Sequence, residues 1–490
     1  MPDLAPVISL AELDMKLSNR EISGMTQDSR RVESGFLFVA IPGSKQDGRQ
    51  FVEEAVQKGA AAIVLQKLMP GLKVPQVIVE DPRRLLADLS ARFYREPTRR
   101  LKVFGITGTN GKTTLTYLLE SIFRESGRRP GVIGTINYRY GSYVAAGPTT
   151  TPESVDLQKI FSEMLEAGIT DVAMEVSSHA LAQGRVRGIH FDGVAFTNLS
   201  RDHLDYHKDL DDYFAQKLKL FTEYLPASEK KKKFAVINRE DLWSQKIDEL
   251  CSLPKIRVGL SGPYEVTVLR HSLTAEGIQA TLNLEGDPLE ISSPLIGSFN
   301  LENILVAVGI AYGAGFSLDR IARGIEAMRA VPGRLEPIPN SRDLSIFVDY
   351  AHTPEALKTV GTTLKRISKG RLITLFGCGG DRDRGKRPEM GREVAQFSDL
   401  VVVTSDNPRT EDPEKILDDI VPGLKEGHLS PQNIFRIVDR REGIKKALEL
   451  AKAGDTILIA GKGHEDYQII GTKKIHFSDQ EVIRELLHET

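Results

Sequence analysis

A short apolar strand that runs directly into a glycine-rich loop and then a helix constrains this chain most strongly. Residues Val103–Ile106 predict the strand, and GITGTNGKTT at positions 105–114 predicts the loop and the helix start. Glycines let backbone N–H groups close on phosphate oxygens, and a helix N-terminus adds partial positive charge. Ile106 stands where the pattern G-x-x-x-x-G-K-[ST] has its first glycine, but strand, loop and Lys-Thr pair all agree. The segment therefore predicts an ATP phosphate site in a parallel α/β domain, formed by Gly108, Thr109, Asn110, Gly111, Lys112, Thr113 and Thr114.

Predicted strands and helices alternate in three successive parts of the chain. A chain of 490 residues is too long for one core, and domains of roughly 100–200 residues would give about three. The predicted fold class is α/β with three domains. These are a small α/β N-terminal domain (1–98), a central P-loop domain with a parallel sheet (99–331), and a C-terminal Rossmann-like, doubly wound domain (332–490).

Charge and composition exclude several classes of protein. The chain carries 65 Lys and Arg against 67 Asp and Glu, a net charge of −2. Such a balance gives no field that recruits nucleic acid or anionic membrane, so neither partner is expected. The N-terminal residues have no basic segment followed by a long apolar one, and no uncharged apolar run approaches ~20 residues, so a cytoplasmic protein is expected. Cys251 and Cys378 lie far apart and predict neither a disulfide framework nor a zinc site.

Polar side chains follow two strands of the central unit. Glu175 ends the apolar run in MEVSSH, and His203 lies in the polar segment FTNLSRDHLDYH. Ligands collect at the carboxyl ends of strands in open α/β sheets. A carboxylate there can help hold Mg²⁺ beside substrate phosphates, and His203 is a candidate ligand of a second metal. Seen alone, Glu175 also fits a helix cap or ion pair, and a single His is more often structural.

Sequence blocks along nearly the whole chain resemble the Mur ligases of bacterial peptidoglycan synthesis. The blocks are GITGTNGKTT, MEVSSHAL, FTNLSRDHLDYH, GSFNLEN, PGRLE, VDYAHTPEAL, GCGGDRDRGKRPEM, DNPRTEDP and GKGHEDYQ. The resemblance implies an ATP-dependent, amide-forming ligase with this three-domain organisation, and it suggests a monomer. It implies that meso-diaminopimelate is added to UDP-N-acetylmuramoyl-L-alanyl-D-glutamate through an acyl phosphate, a reaction that must align anionic groups and neutralise their charge.

The resemblance also implies the catalytic and ATP-binding residues. Lys112 and two Mg²⁺ ions would neutralise the phosphate charge, with Thr113 and Glu175 on one metal, and His203 and a carbamylated Lys217 near the other. Without the family, Lys217 would be interpreted as a solvated helical lysine. Adenine and ribose contacts are expected from Asn303, Arg334 and Asp349. Because Arg334 and Asp349 follow the central unit, ATP should bind between two domains that close during turnover.

Two further groups of residues correspond to substrate-binding positions of the family. The UDP-sugar peptide would be bound by hydroxyl, amide and guanidinium groups that suit its oxygen-rich parts: Ser29, Ser44, Thr150, Thr151, Ser177, Gln183 and Arg185. Diaminopimelate would be bound by Arg382, Asp406, Asn407, Arg409, Gly461 and Glu465. Arg409 offers the planar fork that suits the distal carboxylate, and Glu465 could accept from the distal ammonium.

Three alternatives remain open. The first is the same reaction with L-lysine, which would leave Arg409 without a carboxylate partner; an unpaired polar group can cost roughly 10⁴-fold in discrimination. The second is a folylpolyglutamate-type ligase, which should lack the Ser29 block and the Asn-Pro-Arg motif. The third is a P-loop ATPase that uses ATP to change conformation and needs no acceptor.

Overall fold

Three β-sheets follow one another along the chain in this computed structural model. The structure describes residues 7–19, 21–43, 47–147, 149–204 and 206–488. Within these residues the strands form sheets of four, eleven and six strands, and a separate two-stranded hairpin lies near the C-terminus. The α/β fold class is therefore confirmed.

The first sheet is parallel throughout, with its strands in chain order. Its strands are β1 (Gly24–Thr26), β2 (Phe36–Val39), β3 (Ala62–Leu65) and β4 (Gln76–Ile78), and its helices are α1 (Leu10–Ser18), α2 (Val52–Gln57) and α3 (Pro82–Phe93). Helix α3 begins where sequence rules place it, because Asp81 caps the Arg84 N–H and Pro82 occupies the first turn.

The second sheet is parallel in its middle and antiparallel at both ends. Its order is β15-β14-β13-β12-β11-β10-β5-β9-β6-β7-β8, and the pairings from β13 to β15 and from β6 to β8 are antiparallel. The strands are β5 (Lys102–Thr107), β6 (Pro130–Ile133), β7 (Asn137–Tyr140), β8 (Tyr143–Ala146), β9 (Asp171–Glu175), β10 (Gly193–Phe196), β11 (Phe234–Asn238), β12 (Lys255–Gly259), β13 (Val266–Leu273), β14 (Ile278–Leu284) and β15 (Asp287–Ser293). The prediction of a parallel central sheet thus covers its middle and not its ends.

Helices pack on this sheet, and the helices and strands together form the hydrophobic core of this part of the chain. They are α4 (Lys112–Glu125), α5 (Ser154–Glu166), α6 (Ser178–Ala182), α7 (Leu210–Lys219), α8 (Leu225–Ala227), α9 (Ser244–Leu250), α10 (Ser298–Gly313) and α11 (Leu318–Glu326). Helix α10 is apolar on nearly every side because it packs on the sheet and on α4 together. Strand β5 lies between β9 and β10, so the polar residues that follow these three strands meet at one sheet edge.

The third sheet has the order β16-β17-β21-β18-β19-β20, in which all pairings except β16–β17 are parallel. Its strands are β16 (Glu336–Pro337), β17 (Ser345–Asp349), β18 (Leu372–Phe376), β19 (Leu400–Val403), β20 (Ile434–Arg436) and β21 (Thr456–Ala460), followed by the hairpin β22 (Tyr467–Ile470) and β23 (Lys473–His476). Its helices are α12 (Pro354–Ile367), α13 (Lys386–Phe397), α14 (Pro413–Glu426), α15 (Arg440–Leu450) and α16 (Asp479–His488). None of the helices in the described part of the chain is long and apolar enough to cross a bilayer.

Candidate functional site: a phosphate loop facing two polar clusters

The loop between β5 and α4 fits tightly against neighbouring elements. Gly108 and Gly111 have φ values of +147° and +87°, which L side chains rarely adopt. A Cβ at Gly108 would overlap Thr197 Oγ1, and one at Gly111 would overlap Asn303 Oδ1. The Thr109 N–H donates to the Asn198 carbonyl at 2.8 Å. Both glycines are therefore required by backbone conformation and by close approach, and the loop leads into the N-terminus of α4 as predicted.

Two lysine side chains converge on one carbonyl oxygen of this loop. Lys112 Nζ donates to the carbonyls of Gly108 at 2.8 Å and Thr109 at 2.7 Å. Lys217, from α7, donates to the same Gly108 oxygen at 2.8 Å, and its Nζ lies 4.4 Å from the Tyr213 ring centroid. Burial lowers the pKa of Lys112, and burial followed by the charge of Lys112 places the pKa of Lys217 well below its usual value. Lys217 is 1% exposed, so a neutral amine is favoured at this position.

Glu175, at the end of β9, is the acceptor for a cluster of hydroxyl and amide donors. Its Oε1 accepts from Thr113 Oγ1 at 3.0 Å and from the Thr135 N–H at 2.9 Å, and its Oε2 accepts from Thr135 Oγ1 at 2.9 Å. The side chain is buried. The structure thus brings together Thr113 and Glu175, the pair expected to share a metal, and adds Thr135, which the sequence analysis did not assign.

His203 lies at the same sheet edge in a cluster of rings. Its centroid is 4.9 Å from that of His179 and 6.0 Å from that of Tyr213, and its Nε2 is 3.5 Å from Asp202 Oδ2. Burial alone would raise the pKa of Asp202. The charges of His203 and His352, the hydrogen bond from the His203 N–H and the charge of Lys112 outweigh burial and leave that pKa lowered. Asp202 is a charged group that the sequence analysis left unassigned. Among the described residues, no group of three or more His, Cys, Asp and Glu side chains is arranged to hold a metal by itself.

The hydroxyls predicted to bind the sugar-peptide are close to one another. Thr151 Oγ1 donates to the Glu175 carbonyl at 2.9 Å and accepts from the Ser177 N–H at 3.0 Å. Thr150 Oγ1 lies 3.0 Å from Thr135 Oγ1, the hydroxyl that also contacts Glu175. Thr150, Thr151 and Ser177 therefore form a polar wall beside Glu175.

Gln183 and Arg185 extend this wall. Arg185 donates to Gln183 Oε1 at 2.7 and 3.0 Å and to the Thr151 carbonyl at 2.9 Å, and it lies 2.9 Å from Glu153. Gln183 Nε2 donates to the Tyr206 hydroxyl at 3.2 Å. The five predicted residues of the central unit thus belong to one hydrogen-bonded group.

Ser29 lies away from this wall, in the first unit. Its buried Oγ donates to Glu54 Oε2 at 2.6 Å, and its carbonyl accepts from Lys58 Nζ at 3.0 Å. A nearby cavity of about 110 Å³ is lined by residues from the parts of the chain that form the first and the second sheet, including Asp28 and Glu153. Ser44, the other residue predicted there, lies outside the described residues.

The residues predicted to contact adenosine divide into two places. Asn303 lies against Gly111 and donates to Asn300 Oδ1 at 3.1 Å. Asp349 uses both oxygens on backbone N–H groups, those of Leu335 and Ala351, each at 2.7 Å. Burial raises the pKa of Asp349 against the opposing charge of Arg334. Arg334 Cζ lies 4.8 Å from the Tyr350 ring centroid, and its buried Nε has no hydrogen-bond partner among the described residues.

Arg409 is held between two loops of the third unit. Its Nη1 donates to the Gly380 carbonyl at 2.7 Å, its N–H donates to the Ile469 carbonyl at 3.0 Å, and its φ is +52°. Arg382 is exposed on the loop that carries Gly380. A non-glycine residue at positive φ costs of order 1–3 kcal/mol and persists where its surroundings fix it. The surrounding loops thus fix the Arg409 backbone, and the hydrogen bond from Nη1 to the Gly380 carbonyl orients the guanidinium.

Asn407 and Glu465 are joined by a direct hydrogen bond. Asn407 Nδ2 donates to Glu465 Oε2 at 3.0 Å, and the buried Lys462 Nζ lies 3.1 Å from the same oxygen. The Tyr467 hydroxyl donates to Glu465 Oε1 at 3.3 Å. Gly461 has a φ of +111° and lies close to Asp406. A Cβ at this position would be only 2.8 Å from Asp406 Oδ2. The structure thus adds Lys462 and Tyr467 to the predicted group; the GKGHEDYQ block contains both.

Family models match most of the chain, in three consecutive parts. Residues 21–94 match the model described as "Mur ligase family, catalytic domain", residues 106–311 the "Mur ligase middle domain" and residues 333–463 the "Mur ligase, glutamate ligase domain". Mur ligases are ATP-dependent ligases that form amide bonds, and this chain belongs to their family.

Curated relatives and solved structures agree with this assignment. The chain is 45% identical to a Geobacter sulfurreducens protein named UDP-N-acetylmuramoyl-L-alanyl-D-glutamate--2,6-diaminopimelate ligase, over 98% of this chain and 97% of that one. An Aquifex aeolicus protein of the same name is 42% identical, over 98% and 97%. A solved structure of that name is 34% identical, with a TM-score of 0.69 over 96% and 95% of the two chains. The MurF ligase of Thermotoga maritima, solved in complex with ADP, shares the fold at 18% identity and a TM-score of 0.62, over 95% of this chain and 97% of that one.

Proposed function

We propose that this chain is the ligase that adds meso-2,6-diaminopimelate to UDP-N-acetylmuramoyl-L-alanyl-D-glutamate at the expense of ATP. The observation that carries the proposal is the oriented guanidinium of Arg409, 2.7 Å from the Gly380 carbonyl. Diaminopimelate differs from lysine by a distal carboxylate, the group that a planar guanidinium binds bidentately. The names of the full-length relatives support the same choice. L-lysine would leave Arg409 without a carboxylate partner.

The proposed reaction has two chemical steps. The γ-carboxylate of the D-glutamyl residue attacks the γ-phosphorus of ATP, which gives an acyl phosphate and ADP. The amine of diaminopimelate then attacks the acyl carbon, and the tetrahedral intermediate expels inorganic phosphate. Lys112 would turn from the Gly108 and Thr109 carbonyls to the phosphates, beside the N-terminus of α4. A conformational ATPase would require no acceptor, whereas this chemistry does.

The side chains at the sheet edge fit the binding of Mg²⁺. Glu175 is buried with Thr113 Oγ1 at 3.0 Å, and Mg²⁺ binds through one or two carboxylates together with substrate phosphates. We assign Thr113 and Glu175 to one ion, and His203 with a carbamylated Lys217 to a second. When bound, Mg²⁺ would neutralise phosphate charge. The lowered pKa of Lys217 supports carbamylation, because CO₂ adds to a neutral amine.

The remaining residues would bind the substrates. Arg334 has an unsatisfied Nε for the nucleotide, and Asn303 lies against the phosphate loop. Asp349 would contact the ribose. Its hydrogen bonds from backbone N–H groups would also hold the segment that carries Arg334. The UDP-substrate would contact the Thr150-to-Arg185 wall, with Ser29 and Ser44 on the uridine side. We propose domain boundaries at 1–98, 99–331 and 332–490. We also propose that the protein is a monomer in the cytoplasm, where ATP is available.

Phosphate release combined with product mass tests this proposal. Purified protein is incubated with ATP, Mg²⁺ and UDP-N-acetylmuramoyl-L-alanyl-D-glutamate, with meso-diaminopimelate, L-lysine or no amino acid. Phosphate release that depends on diaminopimelate, together with a product mass increased by one diaminopimelyl residue, is expected. A clear preference for lysine would refute the amino-acid assignment, and ATP hydrolysis without an acceptor would refute the ligase reaction.

A further inference from the structure

A fully buried ion pair lies behind the amino-acid loops of the third unit. Arg440, the first residue of α15, donates through Nε and Nη2 to the two carboxylate oxygens of Asp479, each at 2.7 Å. Asp479 is the first residue of α16, and both side chains are 0% exposed. A buried pair of this kind gains little net stability over apolar packing, because desolvation opposes the Coulomb attraction. Its other contacts indicate a further role.

The remaining donors of Arg440 reach the carbonyls at two strand ends. Nη2 donates to the Ala460 carbonyl at 3.0 Å, and Nη1 donates to the Ser405 carbonyl at 3.3 Å. Ser405 directly precedes Asp406, and Ala460 directly precedes Gly461. One guanidinium therefore joins the bases of the two loops that carry the proposed diaminopimelate residues.

The next residue of α16 joins two more loops. Gln480 Nε2 donates to the Gly463 carbonyl at 2.9 Å and to Glu336 Oε2 at 3.0 Å. The same Glu336 oxygen accepts from the Gly333 N–H at 2.8 Å, one residue before Arg334. The start of the last helix is thus hydrogen-bonded to the amino-acid loops directly and to the Arg334 segment through Glu336.

We propose that Arg440, Asp479 and Gln480 are positioning residues that fix the amino-acid loops in register with the nucleotide segment. The inference rests on the proposed function in its choice of substrate. Misplacement of binding groups by about 1 Å can cost 10²-fold in rate, so rigid support behind these loops has a direct kinetic consequence. Asp479 holds the guanidinium, and the guanidinium holds the backbone that presents Asn407 and Gly461.

Asp479→Asn tests this role, and Asp455→Asn is its matched control. Asp455 pairs with Arg371 at 2.6 Å and is 5% exposed, but it precedes β21, at the sheet edge opposite the loops. Gln480→Leu is the second test variant, because it leaves the ion pair intact if Asp479→Asn folds poorly. For all three variants, KM is measured for diaminopimelate, ATP and the UDP-substrate, with Tm and hydrogen exchange of amides 405–407, 409–410 and 461–465.

Asp479→Asn is expected to raise KM for diaminopimelate about tenfold, the equivalent of about 1.4 kcal/mol, with KM for the UDP-substrate within twofold of wild type. Gln480→Leu should raise KM for both diaminopimelate and ATP. Both should speed exchange in the two loops, whereas Asp455→Asn should lower Tm and leave the loops and all three KM values unchanged. Equal effects of Asp479→Asn and the control, or unchanged loop exchange, would overturn the inference. A wild-type protein without diaminopimelate-dependent activity would refute the proposed function instead, and the exchange data would still decide the positioning role.

Discussion

Replacement of Arg409 by lysine is expected to remove most of the preference for diaminopimelate over L-lysine. Nη1 is committed to the Gly380 carbonyl at 2.7 Å, which fixes the guanidinium plane. No described residue accepts from Nε or Nη2, so these two donors can form a fork with a carboxylate. A lysine ammonium keeps the charge but cannot reproduce the fork.

The magnitude follows from the number of bonds lost. Hydrogen bonds to charged groups contribute about 1.5–3 kcal/mol each, and an ammonium would retain about one of the two. A net loss of about 1.5–3 kcal/mol corresponds to roughly 10–150-fold in kcat/KM for diaminopimelate, at 1.4 kcal/mol per factor of ten. The fold should survive, because both residues adopt the same backbone at φ +52°, and a loss of about 1 kcal/mol would lower Tm by about 2–4 °C.

The assay compares kcat/KM for diaminopimelate and for L-lysine in wild type, Arg409→Lys and Arg384→Lys. Arg384 is the control, because it lies on the neighbouring loop, pairs with Glu411 and is 65% exposed. The ratio of the two constants should fall in Arg409→Lys and stay within twofold in the control. An equal loss for both amino acids would show that Arg409 supports the loop without reading the carboxylate.

Three further predictions follow from the same geometry. Lys112→Ala should abolish acyl-phosphate formation, measured by trapping, while calorimetry shows UDP-substrate affinity within about twofold; weakened UDP-substrate binding would contradict the assigned role. Lys217→Ala should lose activity that short carboxylic acids partly restore, and near-normal activity without them would exclude a carbamate. Hydrogen bonds from Arg387 lower the pKa of Glu411 from 4.5 to about 2. Because the folded-state pKa is depressed, the contribution of the ionised carboxylate to the free energy of unfolding is complete above about pH 4.5 and lost towards pH 2. The free energy of unfolding should therefore fall across that range, and less steeply in Glu411→Gln.

The parts of the site that follow strand ends could be predicted from sequence, because parallel strands bring their carboxyl ends to one edge. Glu175 and the phosphate loop are of this kind, and the structure places Thr113 Oγ1 3.0 Å from Glu175 Oε1. Contacts between loops of the third unit were not predictable in this way. Lys462 was visible in the GKGHEDYQ block, but its burial against Glu465 depends on a turn that the pattern does not specify.

Residues whose neighbours are distant in sequence account for most of what the patterns could not give. Asp202 lies in a polar segment with no periodicity, and its electrostatic contact with His352 joins two sheets. Arg440 and Asp479 begin helices, where their residue types are ordinary, and their pairing requires the tertiary packing of α15 on α16. The antiparallel edge strand β15 shows the alternating burial typical of a sheet with one solvated face.

Lys112 and Lys217 both donate to the Gly108 carbonyl, and the charge of Lys112 lowers the pKa of Lys217. The proposed movement of Lys112 to the nucleotide phosphates would therefore couple nucleotide binding to the ionisation of Lys217. A phosphate that draws Lys112 away would remove one of the two causes that lower the pKa of Lys217 and would leave the carbonyl to Lys217 alone. Linkage is reciprocal. If nucleotide binding changes the equilibrium constant for protonation or modification of Lys217 by some factor, that protonation or modification changes the nucleotide affinity by the same factor. With the proposed carbamate on Lys217, a nucleotide dissociation constant would therefore depend on the pH and the bicarbonate concentration at which it is measured.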